Sequence, residues 1–176
     1  MQVYLALYDH ENDYLIAKKR VTNSWWQGQE KATALVNQAG QWCFPGGAAD
    51  GNNFIEEAKR EFQEETGCVV PTCDSEEVLN PNSSYRLVHC RISGGHLNIL
   101  MHTANAKVGA GMNPPRPLDG VKDWELSEFT MCPKSRLTAF LGVGSPVPVD
   151  ISAYPRGKYS QSIDWYGEMA RYLAVR

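Results

Sequence analysis

Glu57, Glu61, Glu64 and Glu65 stand on a short stretch whose other local signals are helical. At about 100° of rotation per residue, and with Glu61 at zero, Glu57 falls at about 320°, Glu64 at about 300° and Glu65 at about 40°. The four carboxylates therefore share an arc of about 100°. Like charges three and four positions apart repel, each pair costing about 0.2–0.5 kcal/mol on an isolated helix. An arc of this kind calls for a cation, and carboxylate oxygens suit a hard divalent ion such as Mg2+ or Mn2+.

The flanking residues define the element that carries the arc. Trp42-Cys43-Phe44 reads as an apolar strand, and Pro45-Gly46-Gly47 stops it in a turn. Asn53 is a good N-cap, Glu56 three residues later completes a capping-box pattern, and Gly67 stands where a left-handed C-terminal cap belongs. These signals predict a helix from Phe54 to Thr66. Its apolar residues Ile55, Ala58 and Phe62 project at about 120°, 60° and 100°, beside the acids and not opposite them. One side of the helix can then pack on a sheet while the acids face the edge of a cleft.

Written with its spacing, the stretch is Gly46, five residues, Asn52, seven residues, then Arg60-Glu61-Phe62-Gln63-Glu64-Glu65-Thr66-Gly67-Cys68. It resembles the Nudix box of the Nudix hydrolase family: Gly, five, Glu, seven, Arg-Glu-apolar-any-Glu-Glu-any-Gly-apolar. Every fixed position matches except the first Glu, which is Asn52 here. The resemblance implies that Glu61, Glu64 and Glu65 bind divalent cations, Mg2+ or Mn2+, and that Gly46 offers its backbone carbonyl. It also implies that Arg60 orients the acids and braces the preceding loop, usually through the residue replaced by Asn52. Asparagine accepts a hydrogen bond but not a charge-assisted one, which is about twice as strong.

The resemblance implies hydrolysis of a diphosphate linkage, whose anionic oxygens repel a nucleophile until cations neutralise them and activate a water. Glu61 is the first choice for the base that takes the proton. A fourth acid from a later loop is common in such sites, with Asp119 and Asp123 the candidates. Arg20, at the end of a strand ending Lys18-Lys19-Arg20, is the candidate phosphate contact. The ligand class is a small phosphoanhydride, a nucleotide derivative in the leading reading. A domain that binds such a ligand without turning it over is the alternative, and Asn52 is its support.

The rest of the chain fits one domain over 1–176. At 176 residues and 43% hydrophobic, it can bury about 70% of its unfolded surface without a disulfide or metal staple. A net charge of -3 gives no global field for nucleic acid or an anionic membrane. No apolar run reaches the 18 or so residues of a membrane span, and the first residues lack a signal-peptide pattern, so a cytoplasmic location is expected. A homodimer is compatible with this reading, although no residue pattern argues for one. The five cysteines form no C-x-x-C pair, which disfavours zinc and a disulfide framework, and His89, His96 and His102 read as structural.

Strands are predicted at Gln2 to Tyr8, Tyr14 to Lys19, Tyr85 to Ile92 and His96 to His102, the last two as a hairpin through Ser93-Gly94-Gly95. Glu30 to Ala39 has helical character, Ser135 to Leu141 reads as a short helix, and the tail from Ser160 carries Ile163, Tyr166, Ala170 and Leu173 on one helical stripe. Trp25-Trp26 falls in a polar segment, where paired indoles can stack on a base or cover the core. The irregular segment from Lys107 to Gly120 is long enough to line a ligand site. Together with the resemblance, these elements imply an α/β fold, an α/β/α sandwich around a mixed sheet.

Overall fold

The computed structural model describes residues 1–26, 29–111, 120–141 and 164–176, with the side chains of 23–35 outside that description. Its central strand is Gln2–Tyr8 (β1), buried from Val3 through Leu7, as a strand covered on both faces should be. The other strands of its sheet are Asp13–Lys19 (β2), Trp42–Cys43 (β5), Gly46–Ala48 (β6), Ser75–Leu79 (β7), Tyr85–Arg91 (β8) and Leu126–Pro133 (β9). The main path runs β5-β2-β1-β8-β7, with β6 paired to β1 and β9 to β2. β1 and β8 are parallel from Gln2↔Tyr85 to Tyr8↔Arg91, whereas β2 and β6 lie antiparallel to β1. The sheet is therefore mixed, as expected, and helices flank it.

The acid-bearing helix, Phe54–Thr66 (α1), has the predicted bounds and caps. The Asn53 side chain accepts from the Glu56 N–H, and Gly67 closes the helix at φ 67° with its N–H on the Gln63 carbonyl. Ala58 and Phe62 are buried, with the Phe62 ring edge-on to Phe129 of β9 at 6.3 Å between centroids. Burying a side chain of that size contributes about 1.5–3 kcal/mol, enough to set which face of α1 meets the sheet.

Two expected elements are replaced. His96 to His102 is not a strand but part of helix α2, Gly94–Lys107. Its buried residues Leu97, Leu100 and Ala104 recur at helical spacings of three and four. The Ser93-Gly94-Gly95 signal is a helix entry, with the Ser93 hydroxyl 2.9 Å from His96 Nδ1. Glu30 to Ala39 is not helical either: Gln29–Leu35 (β4) pairs antiparallel with Thr22–Trp26 (β3) from Thr22↔Leu35 to Trp26↔Gln29. Cross-strand pairing there overrides the helix preference of its Ala, Glu and Lys. The side chains of Trp25 and Trp26 lie outside the described residues.

Two further helices come from the second half. A 3-10 turn at Lys134–Arg136 leads into Leu137–Phe140 (α3), as the sequence suggests, and Trp165–Ala174 (α4) carries the tail stripe. Ile163 falls outside the described residues. Tyr166, Met169, Ala170 and Leu173 of α4 belong to the same continuous core as β1, β2, β8 and α1. No helix among the described residues is long and apolar enough to cross a membrane.

Candidate functional site

The acids of α1 open onto a cavity of about 450 Å3 lined by Arg60, Glu61, Glu64, Glu65, Gly46 and Gly47, by Lys19 of β2, and by Asp123 and Glu125 ahead of β9. Tyr4 of β1 and Trp165 and Tyr166 of α4 form its aromatic wall among the described residues. Of the box residues singled out in the sequence, Gly46, Arg60, Glu61, Glu64 and Glu65 line it together, whereas Asn52 does not.

Arg60 organises the acid cluster. Its NH1 donates to Glu64 Oε2 at 3.0 Å, and its NH2 to Glu61 Oε1 at 2.6 Å and to the Ala48 carbonyl at 2.9 Å. Nε and NH2 also reach Glu57 Oε2, at 3.2 and 3.0 Å. Partial burial opposes its charge, but Glu57, Glu61 and Glu64 together hold its pKa above the ordinary arginine value. Glu61 is mostly buried, and that desolvation raises its pKa despite Arg60. A carboxylate raised in this way is a better proton acceptor than an ordinary one.

Glu65 is 3% exposed and receives the Gly46 N–H on Oε2 at 2.9 Å. Burial lifts its pKa well above the carboxylate range; Lys19 pulls it down, while Glu125, Asp123 and Glu61 add to the rise. Lys19 is buried as well and donates to Glu125 Oε2 at 2.7 Å. Its own burial would discharge it, but Glu125 first, with Tyr166, Cys43 and Glu65, keeps it charged.

The loop before β9 is tied to α1 by its backbone: the N–H groups of Lys122 and Asp123 both donate to the Glu64 carbonyl, at 2.7 and 3.0 Å. Lys122 Nζ adds a contact to Glu64 Oε1 at 3.2 Å. These bonds bring Asp123, one of the two candidate fourth acids, to the cavity; Asp119 lies outside the described residues.

Arg20 is not where the sequence reading puts it. Its guanidinium lies on the Trp124 indole, 3.8 Å from the ring centroid, and donates to the Val108 carbonyl. Burial there lowers its pKa to about 10. It does not line the cavity, and its neighbour Lys19 does. Lys19 is the last residue of β2, whereas Arg20 lies one residue beyond it, past a register shift between Lys18 and Lys19 in the pairing with β9. Glu125, Tyr4 and Trp165 were not visible as site residues, because only long-range pairing brings them to α1.

Among the described residues, one other cluster of metal-ligating type stands apart from the cavity. Cys73, Glu76 and Cys90 hold their ligating atoms within 4.8 Å of one another across β7 and β8. The Glu76 carboxylate there already takes the Lys59 ammonium at 2.6 Å.

The donors around the cavity are carboxylate and backbone oxygens, the set that suits Mg2+ or Mn2+ and not a soft metal. Glu61, Glu64, Glu65 and the Gly46 carbonyl are the groups able to hold such ions.

Residues 5–142 match the family model of the NUDIX domain, and the chain belongs to the NUDIX family. Members of that family are in general hydrolases of nucleoside diphosphate derivatives. No curated protein is significantly similar to it in sequence. Among solved structures, it is similar to a mutT/nudix family protein from Listeria innocua at 14% identity and a TM-score of 0.45, over 99% of this chain and 92% of that one. It is also similar to the MutT protein from Methanosarcina mazei Go1 at 14% identity and a TM-score of 0.39, over 97% and 91%. A NUDIX hydrolase from Nitrosomonas europaea aligns at 13% identity and a TM-score of 0.40, over 93% and 97%.

Proposed function

We propose that this protein is a metal-dependent hydrolase that cuts the diphosphate linkage of a nucleoside diphosphate derivative. The observation that carries the proposal is the charge balance of the cavity: among the described residues, six carboxyl groups, Asp50, Glu61, Glu64, Glu65, Asp123 and Glu125, line it against three cations, Lys19, Arg60 and Lys122. An anionic diphosphate cannot approach such a surface favourably unless divalent cations reverse its sign. Bound there, Mg2+ or Mn2+ would neutralise the diphosphate oxygens and acidify a water.

The chain's own residues divide the remaining work. Glu64, Glu65 and the Gly46 carbonyl would hold the ions, while Arg60 fixes the carboxylates it bonds. Glu61 accepts the proton as the water oxygen attacks phosphorus and the bridging P–O bond breaks, leaving two phosphate-bearing products. The aromatic wall of Tyr4, Trp165 and Tyr166 offers a flat apolar surface for a base.

The test is product release from a panel of nucleotide sugars, ADP-ribose, dinucleotide polyphosphates and oxidised nucleotides, run with Mg2+ and Mn2+ in parallel. Glu64→Gln should lower turnover at least about a hundredfold, the scale of losing a positioned acid-base or ion-holding group, with an unchanged melting temperature. Full activity in that variant sinks the proposal. If no member of the panel is cleaved while a nucleotide still raises the melting temperature, the protein is a binding domain instead.

A further inference from the structure

Position 52 is where the box pattern expects a glutamate facing Arg60, yet Asn52 is exposed. The bonds to be made there are made from elsewhere. Glu57, one turn before Arg60 on α1, places a single oxygen, Oε2, under three donors: Arg60 Nε at 3.2 Å, Arg60 NH2 at 3.0 Å and the Asp50 N–H at 3.1 Å. The Asp50 bond ties the loop to the helix. The two Arg60 bonds fix the edge of the guanidinium, leaving NH1 for Glu64 and NH2 to reach Glu61 and the Ala48 carbonyl as well.

The loop is shaped around this carboxylate. A Cβ on Gly51 would stand 3.2 Å from Glu57 Oε1, so the chain passes directly over it. The Asp50 N–H, and then Arg60, hold the Glu57 carboxyl below the usual carboxylate pKa, so it is ionised wherever the protein is folded near neutrality. Glu57 does not line the cavity. Its bonds go to Arg60 and to the loop.

We propose that Glu57 is the positioning residue that replaces the box glutamate absent at Asn52, holding Arg60 and the 46–52 loop so that Glu61 and Glu64 keep their geometry. The inference rests on the hydrolase reading for its kinetic consequence but not for its structural one. On it, Asn52 is a relocated brace and not a lost one.

Three variants test this: Glu57→Gln, Asn52→Glu, and the two combined. Loss of an outer partner of this kind costs about 10- to 100-fold in activity or ion affinity. In Glu57→Gln, kcat should fall by that factor and the Mg2+ concentration for half-activation should rise, while KM stays put because no cavity contact is removed. The combined variant should recover most of the loss, since a carboxylate at position 52 resumes the contact to Arg60. A purely structural role for Glu57 would lower stability without recovery. A readout independent of turnover is hydrogen exchange at Arg60 Nε–H followed by NMR: slow in the parent, fast in Glu57→Gln, slow again in the pair. Unchanged exchange in Glu57→Gln overturns the inference, and so does a loss that Asn52→Glu does not relieve. An inactive parent protein would sink the hydrolase reading alone, because the exchange experiment still decides the role of Glu57.

Discussion

Gly46 and Gly47 are adjacent, and the same substitution at each should do opposite things. A Cβ on Gly46 would meet the Val3 carbonyl at 2.1 Å, with φ at 155°, so the obstacle is the backbone of β1 itself. Gly46→Ala should therefore destabilise the fold, by about 1–3 kcal/mol or more, read as a lower midpoint in urea. A Cβ on Gly47 would meet Glu61 Oε2 at 2.2 Å, the far end of a side chain that can swing aside. Gly47→Ala should leave the urea midpoint close to that of the parent and cut turnover, because the carboxylate that moves is the proposed base. Equal loss of stability in both variants would show that the Glu61 carboxylate is not what Gly47 makes room for. The acids and Gly46 were legible because a fixed spacing on one helix and its entry turn carries them. Lys19 was not chosen over Arg20, since where β2 ends and how it registers against β9 are set by pairing, which a single stretch of sequence does not display.

At the scale of elements, what could be read was whatever a local pattern decides. The caps of α1 are side-chain and backbone bonds within four residues of the helix end, and β1 is a run buried on both faces, so both stood out. β7 and β9 did not: β7 is largely exposed and β9 buries only Leu126, Phe129 and Cys132 at intervals of three, which is no strand signal at all. Pairing partners made these strands, and partners are not visible in a single stretch of sequence. The β1–β2–β8 packing also predicts a pH response. His89 of β8 is stacked on Tyr8 at 4.0 Å, with Tyr14 Oη 2.9 Å from Nε2 and Glu77 Oε1 3.2 Å from Nδ1. A carboxylate only accepts, so Nδ1 carries the proton and Nε2 accepts from Tyr14, an arrangement for neutral imidazole. Burial lowers the His89 pKa; the Glu77 contacts oppose this, and Arg176 and Lys134 add to the drop. The unfolded chain then binds more protons in acid than the folded one. The stability from keeping His89 neutral is present above the ordinary histidine pKa of about 6.5 and is lost as pH falls through the lower folded value. The melting temperature should fall more steeply from about pH 7 to about pH 5 in the parent than in His89→Gln, which keeps polar atoms but cannot titrate. Parallel slopes would mean that folding does not lower the proton affinity of His89.

For the molecule as a whole, the relation between the family match and the cavity is the informative feature. The match covers residues 5–142, which include the box, Lys19 and Glu125, yet α4 at Trp165–Ala174 lies beyond it and supplies Trp165 and Tyr166 to the same cavity. Tyr4 joins the two parts, with its ring edge-on to Trp165 at 6.3 Å and to Tyr166 at 5.6 Å. The groups proposed to hold ions and move a proton thus sit on the part the family model matches, whereas the wall proposed to receive a base comes largely from a segment that model does not cover. Ion chemistry and base recognition should then separate by mutation. Trp165 is half-buried and Tyr4 and Tyr166 are buried, so the indole is the ring with free surface to offer. Stacking of a base on an aromatic side chain is worth about 1–3 kcal/mol, and about 1.4 kcal/mol is tenfold in affinity. Trp165→Ala should raise KM about tenfold or more for a nucleotide substrate, with kcat close to the parent value. A diphosphate ester lacking an aromatic base should show no such rise, and Trp165→Phe should recover part of the loss. Equal effects on both substrates would mean that the indole only supports Tyr4 and Tyr85, which it also touches, and would leave base recognition to another part of the cavity.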